Sequence, residues 1–162
     1  MLLVKEDGQA TVEAAIMIPI IFLLMLLLIQ PGILLYDWIV MNEACAETCR
    51  AVSTISENEK QSMCESYARR RLAAIPQQDN FHVHSIGCSY DIQMSGNNTS
   101  PSVTVEIKNE VKPLPLIGFL SQTLGILNEN QNFEIKASST QQCRPSWIRE
   151  HNAEKWVGSW LQ

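Results

Sequence analysis

The chain has 162 residues and a formal net charge of −5, room for one compact domain plus one anchor rather than two full domains. That acidic balance leaves no basic surface for nucleic acid and excludes such a partner. No nucleophile elbow, phosphate loop or HExxH string occurs, so the chain is expected not to be an enzyme and to carry no catalytic residue and no cofactor.

The chain opens on a short charged stretch, Lys5-Glu6-Asp7-Gly8, and carries no charge from Ala14 to Tyr36. Those 23 residues reach roughly 34 Å as a helix, enough to cross a hydrocarbon core of about 30 Å. A cleaved secretory signal fits poorly, because Lys5 stands against Glu6 and Asp7, the apolar run is too long, and no Ala-x-Ala follows Gln30-Pro31-Gly32. The segment reads as a retained anchor in contact with membrane lipid. Lys5 precedes it, whereas Arg50 is the first basic residue after it, behind Asp37, Glu43 and Glu47. This bias puts the N-terminus in the cytoplasm and the C-terminal part outside it, single-pass. Pro19 and Pro31-Gly32 are expected to bend the helix.

Helical spacing continues through Trp38, Met41, Ala44/Cys45, Thr48/Cys49 and Val52, which carries the helix to about Val52. Tyr36 and Trp38 suit an interfacial aromatic belt. Ser56-x-x-Glu59 reads as a capping box opening a second helix through Tyr67 and Leu72 to about Ala74, ended by Pro76. Arg69-Arg70-Arg71 reads first as a solvated helix face and second as a site for acidic lipid or a partner.

Strand-like segments follow. From His82 to Met94, the residues Ile86, Cys88, Tyr90, Ile92 and Met94 share a face, and 95–101 reads as a loop. From Ser102 to Lys112, Val103, Val105, Ile107 and Val111 alternate with polar residues, and a third strand runs from Phe133 to Gln142 with Phe133, Ile135 and Ala137 inward. The apolar connector 113–127 reads as a short helix covering the sheet, or else as a surface for membrane or a neighbouring subunit. Trp147, Trp156, Val157, Trp160 and Leu161 outline a short C-terminal amphipathic helix, docked on its own domain or on the membrane.

Five cysteines follow the apolar segment, and the odd count leaves at least one outside any intrachain pairing. Cys45 and Cys49 share a helix face with nearly parallel side chains, an awkward geometry for a bridge. Cys88 and Cys143 fall on or beside strands and are the candidate disulfide pair. His82, His84 and Cys88 spread over roughly 20 Å of extended chain, too far for one ion, so no metal site is expected.

The most informative string is Gly8-Gln9-Ala10-Thr11-Val12-Glu13-Ala14-Ala15, set against the start of the span. Alone, Glu13 is an acid at headgroup depth that favours the positive end of a helix. Gly8 five residues before it resembles the processing site of type IV pilin precursors, which are cut after glycine and carry glutamate fifth in the mature chain. The wider run Glu6 to Pro19, followed by Tyr36-Asp37-Trp38 and Asn42-Glu43-Ala44, resembles the TadE-like pseudopilins of tight-adherence pili. The resemblance, with the β-rich tail, covers most of residues 8 to 143; the acidic Glu6 and Asp7 depart from the usual basic leader. It implies cleavage by a prepilin peptidase between Gly8 and Gln9, and pairing of Glu13 with the new amine of a neighbouring subunit. The implied partners are other pilin or pseudopilin subunits and inner-membrane pilus assembly proteins.

The expected fold is α+β: a long N-terminal transmembrane helix, a second helix, then a small antiparallel β-sheet ectodomain. The expected segments are a leader over 1–8, a transmembrane helix over 9–36, a helical region over 37–76, a sheet domain over 77–146 and the terminal helix over 147–162. The expected function is that of a minor pilin or pseudopilin of a tight-adherence pilus, for adhesion or secretion. The alternatives are an uncleaved bitopic scaffold of the same apparatus and a secreted ligand-binding domain released from a signal peptide.

Overall fold

The computed structural model describes residues 7–54, 61–84, 90–97 and 99–143. Leader residues 1–6, the capping box at Ser56 and Glu59, Ile86 and Cys88 of the expected first strand, and the terminal helix over 147–162 lie outside the described residues.

Helix α1 (Asp7–Thr54) has 48 residues, a rod of about 72 Å at about 1.5 Å per residue. It runs uninterrupted through Pro19 and Pro31. Each proline lacks an N–H and leaves the carbonyl four residues earlier without its helical donor. Helix α2 (Gln61–Leu72) packs on α1. Three antiparallel strands, β1 (Asp91–Ser95), β2 (Ser102–Val111) and β3 (Phe133–Gln142), form one sheet in the order β1-β2-β3. A short helix α3 (Pro115–Thr123) sits between β2 and β3. The architecture is the expected α+β fold with an N-terminal candidate membrane helix.

The outer half of α1 and one face of the sheet make the core. Along α1 the buried positions are Gln30, Ile33, Asp37, Met41, then the pairs Ala44/Cys45 and Thr48/Cys49, then Val52. Their steps of three and four define one stripe on the helix. Opposite it lie Val103, Val105, Ile107 and Val111 of β2 with Ile135 and Ala137 of β3, all buried. Pairing of Ile107 with both Ile92 and Ala137, and of Val105 with Met94 and Ser139, keeps the inward residues of the three strands in rows.

Small residues meet small residues where α1 crosses β3. Cys45 Sγ donates to the Ala137 carbonyl at 3.4 Å and Cys49 Sγ to that of Ser139 at 3.0 Å. Four residues of helix rise about 6 Å and two residues of strand about 6.7 Å, so the two spacings coincide. Burial pushes the Cys45 thiol up to about 12 and raises Cys49 as well, which keeps both neutral hydrogen-bond donors.

Two local expectations change. The first strand begins at Asp91; His82, Val83 and His84 are irregular, because Val83 N–H reaches across to the Glu110 carbonyl while His82 N–H bonds back to Gln78. The connector does form a helix, but α3 makes little contact with other elements and does not cover the sheet.

The β1–β2 turn depends on Gly96. Its φ is +93°, and a Cβ there would stand 2.5 Å from the Ser102 carbonyl oxygen. Gly96→Ala is therefore expected to destabilise the domain by about 3 kcal/mol. Gly125→Ala, at φ +66° in open space, should cost about 1 kcal/mol. Urea unfolding of the detergent-solubilised protein, followed by sheet circular dichroism, compares the two.

Candidate functional site

The inner half of α1 is bare. Every residue from Gly8 to Ile29 is exposed, and all but Gly8, Gln9, Thr11 and Glu13 are apolar. A surface of this kind loses free energy in water at about 25 cal/mol per Å² and needs an apolar medium or other helices around it. The helix is long and apolar enough to cross a membrane, and no part of its most apolar window is buried by the rest of the chain.

Gly8, Gln9 and Glu13, the residues that sequence reasoning singled out, lie together on the first two turns of α1, all exposed. Gln9 Nε2 donates to Glu13 Oε1 at 3.0 Å, one helical turn apart. The carboxylate thus stands where the apolar rod begins, with a neutral amide beside it. Among the described residues, no atom outside the helix stands within 4 Å of where a Gly8 Cβ would be. Cys143, half-buried, packs against the core cluster that contains Cys49. Its expected partner Cys88 lies outside the described residues, and among those described Cys45, Cys49, Cys64 and Cys143 carry free thiols. Of the arginine run, Arg69 pairs with Glu65 at 2.8 Å and Arg71 with Glu47 of α1, which ties α2 to the helix.

Where α1 leaves its bare segment, a set of buried polar groups gathers that the sequence reading passed over. Gln30 accepts a hydrogen bond from Leu114 N–H at 2.8 Å, just before α3. One turn past the apolar segment, Asp37 is fully buried, and neither carboxylate oxygen finds a hydrogen-bond partner among the described residues. Tyr90 is buried with its hydroxyl likewise unpaired among them, and stacks on His82 at 4.0 Å, 5° from parallel. Asn109 interrupts the apolar inward row of β2; it donates to the Phe81 carbonyl at 2.8 Å and meets His82 Nδ1 at 2.6 Å. Since the Asn109 amide nitrogen is committed to Phe81, its oxygen accepts, which places the His82 proton on Nδ1. Tyr36 closes the cluster, donating to the Ala74 carbonyl at 2.9 Å and meeting Phe81 edge-on. The one legible signal was a polar residue at an inward position, Asn109 in β2 and Asp37 on the α1 stripe.

Burial shapes the ionisation of this cluster. It pushes the Asp37 carboxyl up to about 7 from an ordinary 3.8. It lowers His82, against the raising effect of the Asn109 hydrogen bond, and it raises Tyr90, where the Asp37 charge adds to it.

Comparison with known proteins adds one finding. Residues 8–50 match the family described as TadE-like protein. That match takes in the Gly8–Glu13 motif, the bare segment and most of the stripe on α1, and it stops short of the sheet, which the resemblance read from sequence had included. No curated protein and no solved structure matches the chain.

The native state holds a proton on Asp37 that the unfolded chain releases above pH 3.8. Domain stability should thus fall as pH rises from 3.8 to about 7 and then level off. Asp37→Asn should flatten that slope and stabilise the domain at pH 8 by a few kcal/mol, since each tenfold change in a proton-binding equilibrium is worth about 1.4 kcal/mol. Denaturation midpoints of the two proteins across pH 4 to 8 in detergent provide the check.

Proposed function

We propose that this chain, associated with the tight-adherence pilus through its TadE-like segment at residues 8–50, is a membrane-anchored pseudopilin or minor pilin that helps assemble that pilus, for adhesion or secretion. One observation carries the reading. The Gly8–Glu13 motif stands at the head of a bare apolar rod, and the same rod continues without a break into the core of the folded domain. A retained span joined rigidly to a small domain is the shape a subunit needs in order to wait in the membrane and pack through its helix.

In this reading a prepilin peptidase cuts between Gly8 and Gln9 and exposes an ammonium on Gln9. Glu13 of one subunit then pairs with the amine of the next in a helical array. In a low-dielectric surround an unpaired carboxylate is strongly disfavoured, so the pairing selects ordered over random association. The N-terminus lies in the cytoplasm and the sheet outside it. Other pilin or pseudopilin subunits and inner-membrane assembly proteins are the partners, and the role is structural, without catalysis or a cofactor.

An uncleaved bitopic scaffold of the same apparatus is the second reading, favoured by one detail: Gly8 and Gln9 already belong to α1, and a scissile bond in a helix must unwind to enter a peptidase. The intact mass of the protein from membranes separates the two, since a chain beginning at Gln9 supports the pilin and an intact Met1 the scaffold. Glu13→Ala should leave the membrane-inserted fraction unchanged and lower assembly into pili several-fold. Fractionation alongside a pilus shear assay measures both, and equal losses would refute the pairing role.

A further inference from the structure

We propose that α3 and the residues just after it rest in the lipid interface of the membrane that α1 crosses, a second and non-spanning contact between this chain and the bilayer. The inference rests on the anchor reading above.

Depth is the first argument. If the hydrocarbon begins at Ala14, just past the Glu13 carboxylate, a core of about 30 Å takes about 20 residues of helix. Its far edge then falls near Ile33, and Gln30 lies in the last turn inside it. Leu114 N–H is bonded to the Gln30 side chain at 2.8 Å, so the start of α3 is fixed at the hydrocarbon boundary and not out in bulk water. The far end of the connector is held too: Asn128 N–H bonds to the Asn132 carbonyl, and the Asn132 amide donates to Glu110 at 2.8 Å.

Composition and backbone chemistry agree with that depth. From Pro113 to Asn128 no residue is charged, with Lys112 and Glu129 as the bracketing charges. Phe119 is 72% exposed, Leu120 48%, Leu124 71% and Ile126 59%, a run of large apolar side chains that the domain leaves uncovered. In an apolar medium each unsatisfied backbone donor costs several kcal/mol. Pro113 and Pro115 have no N–H, and the one between them is the bond to Gln30. Where α3 ends, the N–H groups of Leu124, Gly125 and Ile126 bond to the carbonyls of Leu120, Gln122 and Ser121. The Thr123 hydroxyl donates back to Phe119. The C-terminal end of α3 is thus finished for a low-dielectric surround, while its N-terminal end has no side-chain cap. The segment starts one turn beyond the exposed Leu26 and Leu27, which share the Gln30 face of α1. That continuity with the span favours lipid over a second copy of the chain as the occupant.

The test places a benzophenone photo-probe, one position at a time, at Leu28, Phe119, Leu124 or Glu134 of the full chain, reconstituted in phosphatidylethanolamine–phosphatidylglycerol vesicles. All four positions are exposed, so the probe displaces no core contact. Mass spectrometry after illumination is expected to find lipid adducts at 28, 119 and 124 in comparable yield, and none at 134. Adducts at 28 without any at 119 and 124 would overturn the inference and leave the anchor standing. Cross-links from 119 or 124 to a second copy, in place of lipid, would overturn it in favour of a subunit contact. Absence of lipid at 28 would remove the anchor itself, and the inference with it.

Discussion

The fold depends on one helix belonging to two environments. Three strands with a single apolar face are about the minimum for independent stability, and here the layer that covers the face is the outer half of α1. Burial of Met41, Val103, Val105 and Ile107 is worth about 1.5–3 kcal/mol each for the larger side chains. Most of that gain needs both partners, helix and sheet, so the domain is not a separate body hung from an anchor by a linker. The backbone of α1 carries any force on the sheet directly into the bare segment. The close approach that this requires comes from Ala44, Cys45, Thr48 and Cys49 on one side and Ala137 and Ser139 on the other, residues too small to hold the layers apart.

Polar groups punctuate the stripe on which the sheet packs. A uniformly apolar helix would offer many nearly equivalent registers, including ones sliding down toward the bare half. Gln30, Asp37 and Thr48 are buried on that stripe, and among the described residues the Gln30 Nε2, both Asp37 oxygens and the Thr48 hydroxyl have no hydrogen-bond partner, a cost the core carries. The Gln30 side-chain oxygen is matched by the Leu114 N–H. Burial favours the neutral form of Asp37, pushing its carboxyl up to about 7. A well-packed apolar residue of similar volume is often more stable than a buried ionisable group, so Asp37 is no source of strength.

Much of this was legible in the sequence, and what was not had a physical reason. The apolar run, the outward helical spacing to Val52 and the alternation in β2 and β3 are periodic signals, each set by one element and its own environment. The family likeness at Gly8–Glu13 was equally local. The strand reading extended back to His82, whereas there the chain is tied to β2 by single hydrogen bonds, from Val83 N–H to the Glu110 carbonyl and from Asn109 to Phe81 and His82. Asn109 and Asp37 were visible as polar residues in apolar positions, yet only the fold shows that one is bonded on both sides and the other buried without a bond among the described residues. Composition identified 113–127 as apolar and uncharged, and could not say what it lies against, since that depends on a side chain 84 residues away in the chain.

The two polar markers on α1 also limit how the subunit can change surroundings. Between Glu13 and Gln30 the helix presents only apolar side chains, and nothing among the described residues of the domain covers them. Lipid tails are about as apolar as leucine, so moving this surface from lipid to neighbouring helices changes little hydrophobic free energy. If the chain acts as the pilin proposed above, exchange between membrane and fibre is then nearly balanced, with the sign decided by what is polar. Glu13 is the group whose surroundings differ most between those states: headgroups and water in one, and in the other a low-dielectric bundle where it is stable only beside a cation. In the proposed pilin reading, that single carboxylate at the end of an otherwise indifferent rod is what makes assembly conditional on a partner with a free amine.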